Sequence, residues 1–461
     1  MPLLGTETEY GILAPDAVRD LGRPADPEWL SALVVDAYAG AATPALAEVH
    51  NRVLGNGARL YVDHGHPEYA TPETTSPTEA TVHELAGDLI VARTALAASE
   101  LAGTRIRVFK NNTDGKGNSY GYHENYLLDR ATPWALIEDV LPTFLATRVV
   151  FAGAGRVGLG PFGETAGFQR SQRADFFERV SGLDTTRNRG LINTRDEPHA
   201  TPSRWRRLHV IPGDANRNPF ATWLKLGATS LVLAALEVGQ VPEVRLADPV
   251  AGFRLASRAA DPRTPLRLAG GGTASAIEIQ RRFLDAVGQF ASDHPAAEAR
   301  DVLEEWTGVL DDLERDPALT ADRLDWPAKL ALLDGVRARD HLAWDAPRLA
   351  QLDLAWADLD DAASPFAILR RAGRLADWID RRAVERATTE PPADTRAFTR
   401  GRLVADHPDA VIAATWDSVL LRDARGVLRN VRMSEPTAHT AADYNDDPSL
   451  SRPLGKLPPV S

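Results

Sequence analysis

Short runs with the composition of β-strands dominate the first half of this 461-residue chain, and they constrain its fold more than any other feature. The runs cover residues 3–10, 59–64, 106–111, 148–152 and 208–212. Each is rich in β-branched or aromatic residues and is bounded by Gly, Asn or Asp, as is typical of strands. Helical patterns occur among them, at about 77–101 and 219–238, with apolar residues recurring every three or four positions. The pattern predicts an α+β domain built on a sheet.

The pattern changes after residue 273, where apolar side chains recur at helical spacing. Residues 273–388 are therefore predicted to be mainly helical. The segment TTEPPADT, at 388–395, contains paired prolines that cannot continue a helix, which favours a domain boundary there. We predict a catalytic domain at 1–390 and a small C-terminal domain at 391–461, whose polar end after Ser434 is loosely ordered.

The chain carries a formal net charge of -12 and has no cysteine. Such an acidic protein lacks the general basic face that nucleic acids and anionic membranes require, so neither is expected as a partner. The absence of cysteine excludes disulfide frameworks, thiolate zinc sites and a cysteine nucleophile. The first residues, MPLLGTETEYG, contain no long apolar run, so we expect a soluble, cytoplasmic protein, and a monomer.

Glu7 and Glu9 form the first candidate metal site. The period-two alternation of a strand puts both carboxylates on one face and Thr6, Thr8 and Tyr10 on the other. Oxygen ligands of this kind suit hard cations such as Mg²⁺. The alternative is a solvated strand face, because alternating Glu and Thr is common on exposed sheets.

The segment RLYVDHGHPEYATPE, at 59–73, contains the candidate catalytic residue Asp63. Tyr61 and Asp63 share one strand face, and a Gly-His-Pro turn brings Glu68 back towards them. An aspartate in this position is suited to act as general base or nucleophile, while Tyr61 and Glu68 could complete a metal site. The alternative is that Asp63 only ends a strand, since Asp, His, Gly and Pro all mark turns.

The segment KNNTDGKGNSYGYHENY, at 110–126, is rich in Gly, Asn and Ser. This composition predicts a mobile loop, which ends near His123, a side chain able to reach a phosphate, a metal or the scissile group. The alternative is a decorated hairpin turn, because Asp-Gly and Gly-Asn are ordinary turn dipeptides.

A cluster of basic residues follows in Gln172-Arg173 and in NTRDEPHATPSRWRRLHVIPGDAN, at 193–216. Guanidinium groups are suited to clamp phosphates or carboxylates, and a histidine on a following strand is suited to bind a metal. The residues are Arg173, Arg195, Arg206 and Arg207, with His209 as the candidate ligand. The alternative for at least half of the arginines is a surface salt bridge.

Several common catalytic motifs are missing. The run GAGRVG at 153–158 satisfies GxGxxG, but GPFG follows it, so the helix that a dinucleotide fingerprint needs is not expected. No phosphate loop of the form GxxxxGK[ST], no HExxH pair and no GxSxG elbow occurs in the sequence.

Taken together, the motifs occur in one order that is specific. They are GTETEYG, NGARLYVDHGHPEY, FKNNTDGKGNSYGYHENYL, INTRDEPHA, RRLHVIPGDAN and LDWPAKLALLDG. From about residue 3 to about residue 425, the chain resembles the family of Pup ligases and Pup deamidases, which act on the small protein modifier Pup. The resemblance implies a fold similar to glutamine synthetase: a large curved antiparallel sheet flanked by helices, with ATP and Mg²⁺ in its concave cradle, and a small C-terminal domain.

Two reactions compete within the family. The ligase forms a γ-glutamyl phosphate on the C-terminal glutamate of Pup and joins it to a substrate lysine. The deamidase converts a C-terminal glutamine of Pup to glutamate and cleaves that isopeptide bond, as a depupylase. The chain reads YVDHGHPEY where ligases resemble LDVGSHPEY, NNTDGKG where they resemble NNTDSAG, and GDAN where they resemble GDSN. These differences favour the deamidase and depupylase reaction over the ligase. An alternative of another class is a non-catalytic Pup- or nucleotide-binding scaffold, against which the intact Glu7, Asp63 and Glu68 speak.

The resemblance also assigns roles to residues. Asp63 matches the catalytic aspartate, and Glu7, Glu9, Tyr61 and Glu68 match metal-binding positions around ATP. His123, Arg173, Arg195, Arg207 and His209 lie in motifs that contact phosphate, metal or the reacting carboxyl end. Arg396 and Arg400, in TRAFTRG, are weaker candidates for the nucleotide or the Pup terminus.

The resemblance further implies that ATP is not consumed stoichiometrically. ADP and phosphate stay in the site and assist attack on the γ-amide, and the attacking group is left open between Asp63 and phosphate. Pup is acidic and disordered when free, so a groove in which it folds is expected, with Arg370, Arg371 and Arg374 as contributors. One departure is that only 45 residues separate Tyr10 from Asn56, where deamidases of the family carry a longer insertion.

Overall fold

The computed structural model describes residues 1–45, 49–158, 166–185, 187–423, 425–447 and 450. Strands and helices both occur in this part of the chain, which confirms the α+β composition. The strands are β1 (Leu3–Glu9), β2 (Gly11–Leu13), β3 (Ala42–Pro44), β4 (Asn51–Leu54), β5 (Arg59–Asp63), β6 (His66–Ala70), β7 (Arg107–Phe109), β8 (Tyr122–Asp129), β9 (Arg156–Gly158), β10 (Gly167–Gln169), β11 (Arg179–Gly182), β12 (Gly190–Asn193), β13 (Trp205–Val210), β14 (Pro265–Arg267), β15 (Thr273–Ser275), β16 (Val411–Ala414), β17 (Ser418–Arg422) and β18 (Leu428–Arg432).

Helices make up all the regular structure between residues 276 and 406, which agrees with the mainly helical segment predicted at 273–388. The helices of the described residues are α1 (Ala17–Leu21), α2 (Pro27–Asp36), α3 (Pro77–Ala102), α4 (Trp134–Thr147), α5 (Val149–Ala152), α6 (Pro219–Glu237), α7 (Pro249–Arg258), α8 (Ala276–Asp293), α9 (Ala299–Arg315), α10 (Asp325–Asp340), α11 (Pro347–Trp356), α12 (Pro365–Arg371), α13 (Arg381–Ala387), α14 (Ala397–Asp406) and α15 (Ala441–Asp446). Short 3-10 helices lie at Ala174–Phe176 and Pro317–Thr320.

Contacts divide the chain into two compact units. The first unit contains Met1–Pro2, Phe109–Asp196 and Arg206–Trp378, and the second contains Leu3–Val108, Glu197–Trp205 and Ile379–Ser461. The C-terminal segment therefore shares a unit with the first hundred residues, although the boundary predicted near residue 390 stays a prediction.

Five strands of the second unit are hydrogen-bonded in the order β1-β6-β5-β4-β3, and every pair among them is antiparallel. Helix α3 packs against β1 and β6, and Gly87 allows this close approach. A Cβ at Gly87 would lie 2.2 Å from the Tyr69 ring. Ser76 caps the first turn of α3 by accepting a hydrogen bond from the Glu79 amide at 3.2 Å, and Gly103 ends the helix at φ 68°.

The C-terminal elements of the second unit join the same core. One hydrophobic cluster combines Ala45 and Val53 with Leu403, Val419 and Val431 from α14, β17 and β18. The region after Ser434 was predicted to be loosely ordered, but α15 is a helix whose cap Thr440 exchanges hydrogen bonds with Asp443. Residues 451–461 lie outside the described residues.

Four strands of the first unit follow one another in the order β11-β12-β13-β8. The pair β11 and β12 is parallel, so the strands are not all antiparallel as expected. Within the described residues, α6 is the one helix whose length and apolar composition suit a membrane span, and 94% of that stretch is buried inside the chain. Buried apolar helices of this kind also form the cores of globular domains.

The strand predicted at 148–152 is wrong, because Val149–Ala152 forms the helical turn α5 directly after α4. The four residues are buried and contact α6, α7 and α9. Tertiary packing therefore overrides the strand preference of two valines and a phenylalanine. The GxGxxG run ends in strand β9 rather than in a helix, and residues 159–165 lie outside the described residues.

Candidate functional site

Acidic and phenolic side chains form a row across three neighbouring strands of the second unit. The strand register pairs Glu9 of β1 with Glu68 of β6, and Glu68 with Tyr61 of β5. Thr6 and Thr8 are buried on the opposite face of β1, so the predicted alternation is confirmed. Directly opposed residues have Cβ atoms about 4.5–5.5 Å apart, which places the three side chains within reach of one another.

Asp63 completes an acidic cluster at the end of this row. One carboxylate oxygen each of Glu9, Asp63 and Glu68 lies within 4.8 Å of the others. Glu9 and Glu68 are 7% and 3% exposed, whereas the Asp63 side chain is 41% exposed. Asp63 is therefore the member of the cluster that a substrate can approach.

Burial raises the pKa of the Glu68 carboxyl well above its usual value, and the neighbouring carboxylates Glu9, Glu7 and Asp63 raise it further. The Tyr61 hydroxyl donates a hydrogen bond to Oε1 of Glu68. Burial also raises the pKa of the Tyr61 phenol, with Glu68 adding to the effect. Tyr61 thus stays protonated and orients Glu68; its predicted role as a metal ligand stays a prediction.

The cluster fits a magnesium ion on the chemistry of its donors. Three carboxylates in mutual repulsion gain from a divalent cation, and hard oxygen ligands are those that Mg²⁺ prefers. Glu9, Asp63 and Glu68 would hold the ion. Glu7, on the same face of β1, adds to the negative potential at Glu68.

The turn between β5 and β6 begins one residue earlier than the predicted Gly-His-Pro turn. Asp63 pairs with His66, so His64 and Gly65 form a two-residue hairpin loop, and Pro67 already belongs to β6. Nδ1 of His64 lies 2.8 Å from Oδ2 of Asp63. This hydrogen bond to Asp63 raises the pKa of His64.

Two predicted histidines come together in the first unit. The rings of His123 in β8 and His209 in β13 pack edge to face with centroids 5.0 Å apart. The Arg207 guanidinium lies 3.3 Å from Nδ1 of His209. Because a guanidinium only donates, Nδ1 of His209 accepts, and a role as metal ligand falls to Nε2.

The other predicted arginines of the first unit differ in burial. Arg173 is 1% exposed and donates to Ser119 Oγ at 3.3 Å, to the Tyr122 carbonyl at 3.2 Å and to the Ile211 carbonyl. Its guanidinium therefore fixes the end of the glycine-rich loop. Arg195, in contrast, is exposed, and its backbone amide donates to Asn193 Oδ1 at 2.8 Å.

Arg396 and Arg400 are buried in the second unit beside Glu73. Nε of Arg396 lies 2.8 Å from Glu73 Oε1, and Arg400 pairs with the other oxygen of the same carboxylate. Arg396 also donates to the carbonyls of His199 and Met433, and Arg400 to those of Gly57 and Trp416. These contacts indicate a structural role, so a contact of Arg396 with nucleotide stays a prediction.

The sequence did not identify two of these partners. Glu73 lies 323 positions before Arg396, a separation at which no local pattern pairs charges. The contact of His64 could have been predicted, because a dipeptide ending in Gly between two strand patterns indicates a two-residue hairpin loop. Such a loop would have placed the His64 ring beside Asp63.

Comparison with known proteins identifies the family. A family model described as Pup-ligase protein matches residues 2–420. A depupylase of Acidothermus cellulolyticus is 41% identical, covering 96% of each chain. A Pup deamidase/depupylase of Mycobacterium tuberculosis is 41% identical over 91% of this chain and 90% of its own. A Pup--protein ligase of Bifidobacterium longum is 39% identical over 91% and 88%.

Solved structures agree with this result. The structure of the complex between the prokaryotic ubiquitin-like protein Pup and its ligase PafA has a TM-score of 0.84 and 33% identity, covering 95% of this chain and 90% of that one. PafA in complex with ADP has a TM-score of 0.77 and 36% identity, covering 85% and 88%. The likeness confirms the predicted α+β fold class, similar to glutamine synthetase. The chain therefore belongs to the Pup-ligase family.

Proposed function

We propose that this protein is an ATP- and magnesium-dependent amidohydrolase that deamidates the C-terminal glutamine of Pup and cleaves the isopeptide bond between Pup and substrate lysines. The observation that carries the proposal is the position of Asp63, 41% exposed at the rim of the buried carboxylates Glu9 and Glu68. The relatives named depupylase or Pup deamidase/depupylase, each 41% identical, support the reaction.

Asp63 is the residue that we assign to the chemistry. Its carboxylate is suited either to attack the γ-carbonyl carbon of the amide or to take a proton from the attacking group. A bound magnesium ion supplies positive charge that keeps such a carboxylate ionised and offsets negative charge on the amide oxygen. The attacking group, Asp63 or phosphate, stays open.

We also propose that the nucleotide is ATP, retained as ADP plus phosphate. The ADP complex of PafA supports a nucleotide site. In the first unit, the exposed Arg195 and the half-buried Arg207 have the charge to contact phosphates, and His123 lies beside His209. The buried Arg173 positions the loop before β8 and acts on the nucleotide through that loop.

Pup and pupylated proteins are the proposed partners, supported by the complex of Pup with PafA. In α12 and just after it, Arg370 pairs with Asp361 at 3.6 Å, Arg371 donates to the Asp361 carbonyl at 2.7 Å, and Arg374 is exposed. We assign Arg374 the larger share in attracting an acidic chain. A cytoplasmic location and a monomeric state belong to the same proposal.

The ligase reaction is the second candidate, because ligases are 39% identical to this chain and both solved structures are of ligases. The sequence YVDHGHPEY at the site favours the amidohydrolase. Mass spectrometry distinguishes the two reactions. With ATP and Mg²⁺, we expect Pup ending in glutamine to gain about one dalton and release ammonia, with less than one ADP formed per turnover. A lysine conjugate formed from Pup ending in glutamate, with one ADP per bond, would establish the ligase instead.

A further inference from the structure

The loop that follows Asp63 has a histidine at its first position. His64 has a φ of 45° and Gly65 a φ of 83°, so both central residues of the two-residue hairpin are left-handed, as in a type I′ turn. Asn and Gly occupy the first position of such turns most readily, and for other residues the left-handed conformation costs about 1–2 kcal/mol. His64 is one of five histidines with a positive φ among the described residues, and what distinguishes it is the group that its ring contacts.

The ring of His64 contacts the reactive carboxylate. Its Nδ1 lies 2.8 Å from Oδ2 of Asp63, and an ionised carboxylate only accepts, so Nδ1 carries the proton. This is the only hydrogen bond that the Asp63 carboxylate accepts from the described residues. The His64 side chain is 64% exposed, so burial of its ring contributes little to stability.

The backbone of the turn is held without the His64 ring. Ser31 Oγ donates to the Gly65 carbonyl at 2.9 Å, and Nδ1 of His66 donates to the Tyr10 carbonyl at 3.0 Å. Loss of the His64 ring would therefore leave the hairpin in place. The change would be in the orientation of the Asp63 carboxylate, which would no longer be fixed by the ring.

We propose that His64 is a positioning residue for the reaction, holding Oδ2 of Asp63 so that Oδ1 faces the substrate. The inference rests on the proposed function, in which Asp63 carries the chemistry. A neighbour that fixes a reactive carboxylate acts on the rate of the chemical step rather than on substrate binding.

Two substitutions at this position separate the ring contact from the backbone. His64→Gly keeps the left-handed conformation and removes the donor. His64→Asn also suits this conformation, and its Nδ2 occupies the place of Nδ1, so it restores the donor. We expect His64→Gly to lower kcat about 10- to 100-fold, the range found when hydrogen-bond partners of site ligands are removed. KM for Pup stays unchanged, and the midpoint of thermal unfolding does not fall, because glycine suits the left-handed backbone. His64→Asn recovers most of the lost kcat.

The chain offers a matched control in His50. This residue also has a positive φ, of 52°, and its Nδ1 lies 2.8 Å from a carboxylate oxygen of Asp36. His50→Gly removes a ring of the same kind that bonds Asp36 rather than Asp63. It keeps the His50 carbonyl that accepts from the Val62 amide at 3.2 Å, and turnover should be unchanged. Turnover of His64→Gly equal to wild type, or of His64→Asn as low as that of His64→Gly, would overturn the inference.

The same assay separates this inference from the proposed function. If wild type leaves glutamine-ended Pup unchanged, the function is contradicted, and the role of His64 with it. If wild type is active and His64→Gly is equally active, only the inference is contradicted. The contact is also readable without turnover, from the ¹⁵N shifts of the His64 ring at alkaline pH. A proton on Nδ1 is expected, and a neutral ring protonated only on Nε2 would contradict the contact.

Discussion

Glu68 lies where folding brings carboxylates together at a cost in free energy. The residue is 3% exposed and faces Glu9, Glu7 and Asp63, which together with burial raise its pKa. This arrangement adds nothing to hydrophobic packing. A bound cation stabilises it, because each carboxylate then becomes a ligand instead of a source of repulsion. The same reasoning predicts how stability responds to the metal.

Glu68→Gln removes one of the repelling charges and one of the ligands. In EDTA we expect the variant to unfold at a temperature no lower than wild type, although the change is in a buried side chain. Addition of Mg²⁺ should raise the unfolding temperature of wild type clearly, since a ligand at a hundred times its Kd contributes about 2.7 kcal/mol. The variant should respond much less. Calorimetry with and without Mg²⁺ measures both effects, with the exposed Glu100→Gln as control.

Glu73 has the opposite electrostatic environment. Burial disfavours its charge, but Arg400 and Arg396 outweigh burial and lower the pKa of Glu73 from 4.5 to about 2. At about 1.4 kcal/mol per pKa unit, this difference corresponds to roughly 3 kcal/mol of stability. Because the folded-state pKa is depressed, that stability is present above about pH 4.5 and is lost as the pH falls towards 2.

Glu73→Gln should therefore cost about 3–5 kcal/mol at neutral pH, because two buried guanidinium groups lose their counter-charge. The free energy of unfolding of the variant should also depend less on pH between 4.5 and 2 than that of wild type. Urea titrations at several pH values measure this difference. Parallel pH curves for wild type and the variant would show that Glu73 does not hold the two arginines.

At the scale of elements, the glycines in the turns before and after β5 test the packing of the second unit. Gly57 has a φ of 82°, and a Cβ there would lie 2.8 Å from the Ala397 carbonyl oxygen. Gly65 has a φ of 83°, but apart from its chain neighbours no atom of the described residues lies within 4 Å of its Cβ position. The backbone conformations are alike, and only the surroundings differ.

Gly57→Ala should consequently destabilise the protein more than Gly65→Ala. Both substitutions cost about 1–2 kcal/mol for the left-handed backbone, and Gly57→Ala adds about 1–3 kcal/mol for overpacking against α14. Denaturant unfolding of the two variants gives the difference directly. Equal losses would mean that α14 does not pack against the β4–β5 turn as described.

The elements near the site were predictable from local sequence. Strands β1 and β5 and helix α3 each begin at the predicted residue and end within one residue of the prediction. Their signals are local: alternation of exposed and buried side chains, a Ser cap followed by Pro, and a Gly that ends the helix. The residues at 148–152 were mispredicted because their burial among α6, α7 and α9 depends on contacts far along the chain.

The site residues also divide into those predictable from local sequence and those that depend on distant contacts. Glu9, Tyr61 and Glu68 share a row because strand alternation and a hairpin turn fix their faces, and both are visible in sequence. The partner of Arg396 and Arg400 was not visible, since Glu73 meets them only after the C-terminal segment packs on β4 and β5. Long-range ion pairs of this kind need tertiary structure.

For the whole molecule, the family is established by matches that cover most of the chain. Family membership alone covers both ligation and hydrolysis. The relatives named depupylase or Pup deamidase/depupylase are 41% identical and the ligase is 39% identical, so ligation is the weaker alternative. We assign the chemistry at the reacting carbonyl to Asp63, which matches the catalytic aspartate of the family.

Cleavage of a Pup-lysine conjugate by wild type and by Asp63→Asn is the measurement that tests this assignment most directly. Asn keeps the size of the side chain and removes its charge, so binding of ATP and Pup should persist while release of free Pup stops. Calorimetric titration checks binding, and mass spectrometry follows the conjugate. Wild type should release free Pup with ATP and Mg²⁺ present. Cleavage by Asp63→Asn at the wild-type rate would contradict the account.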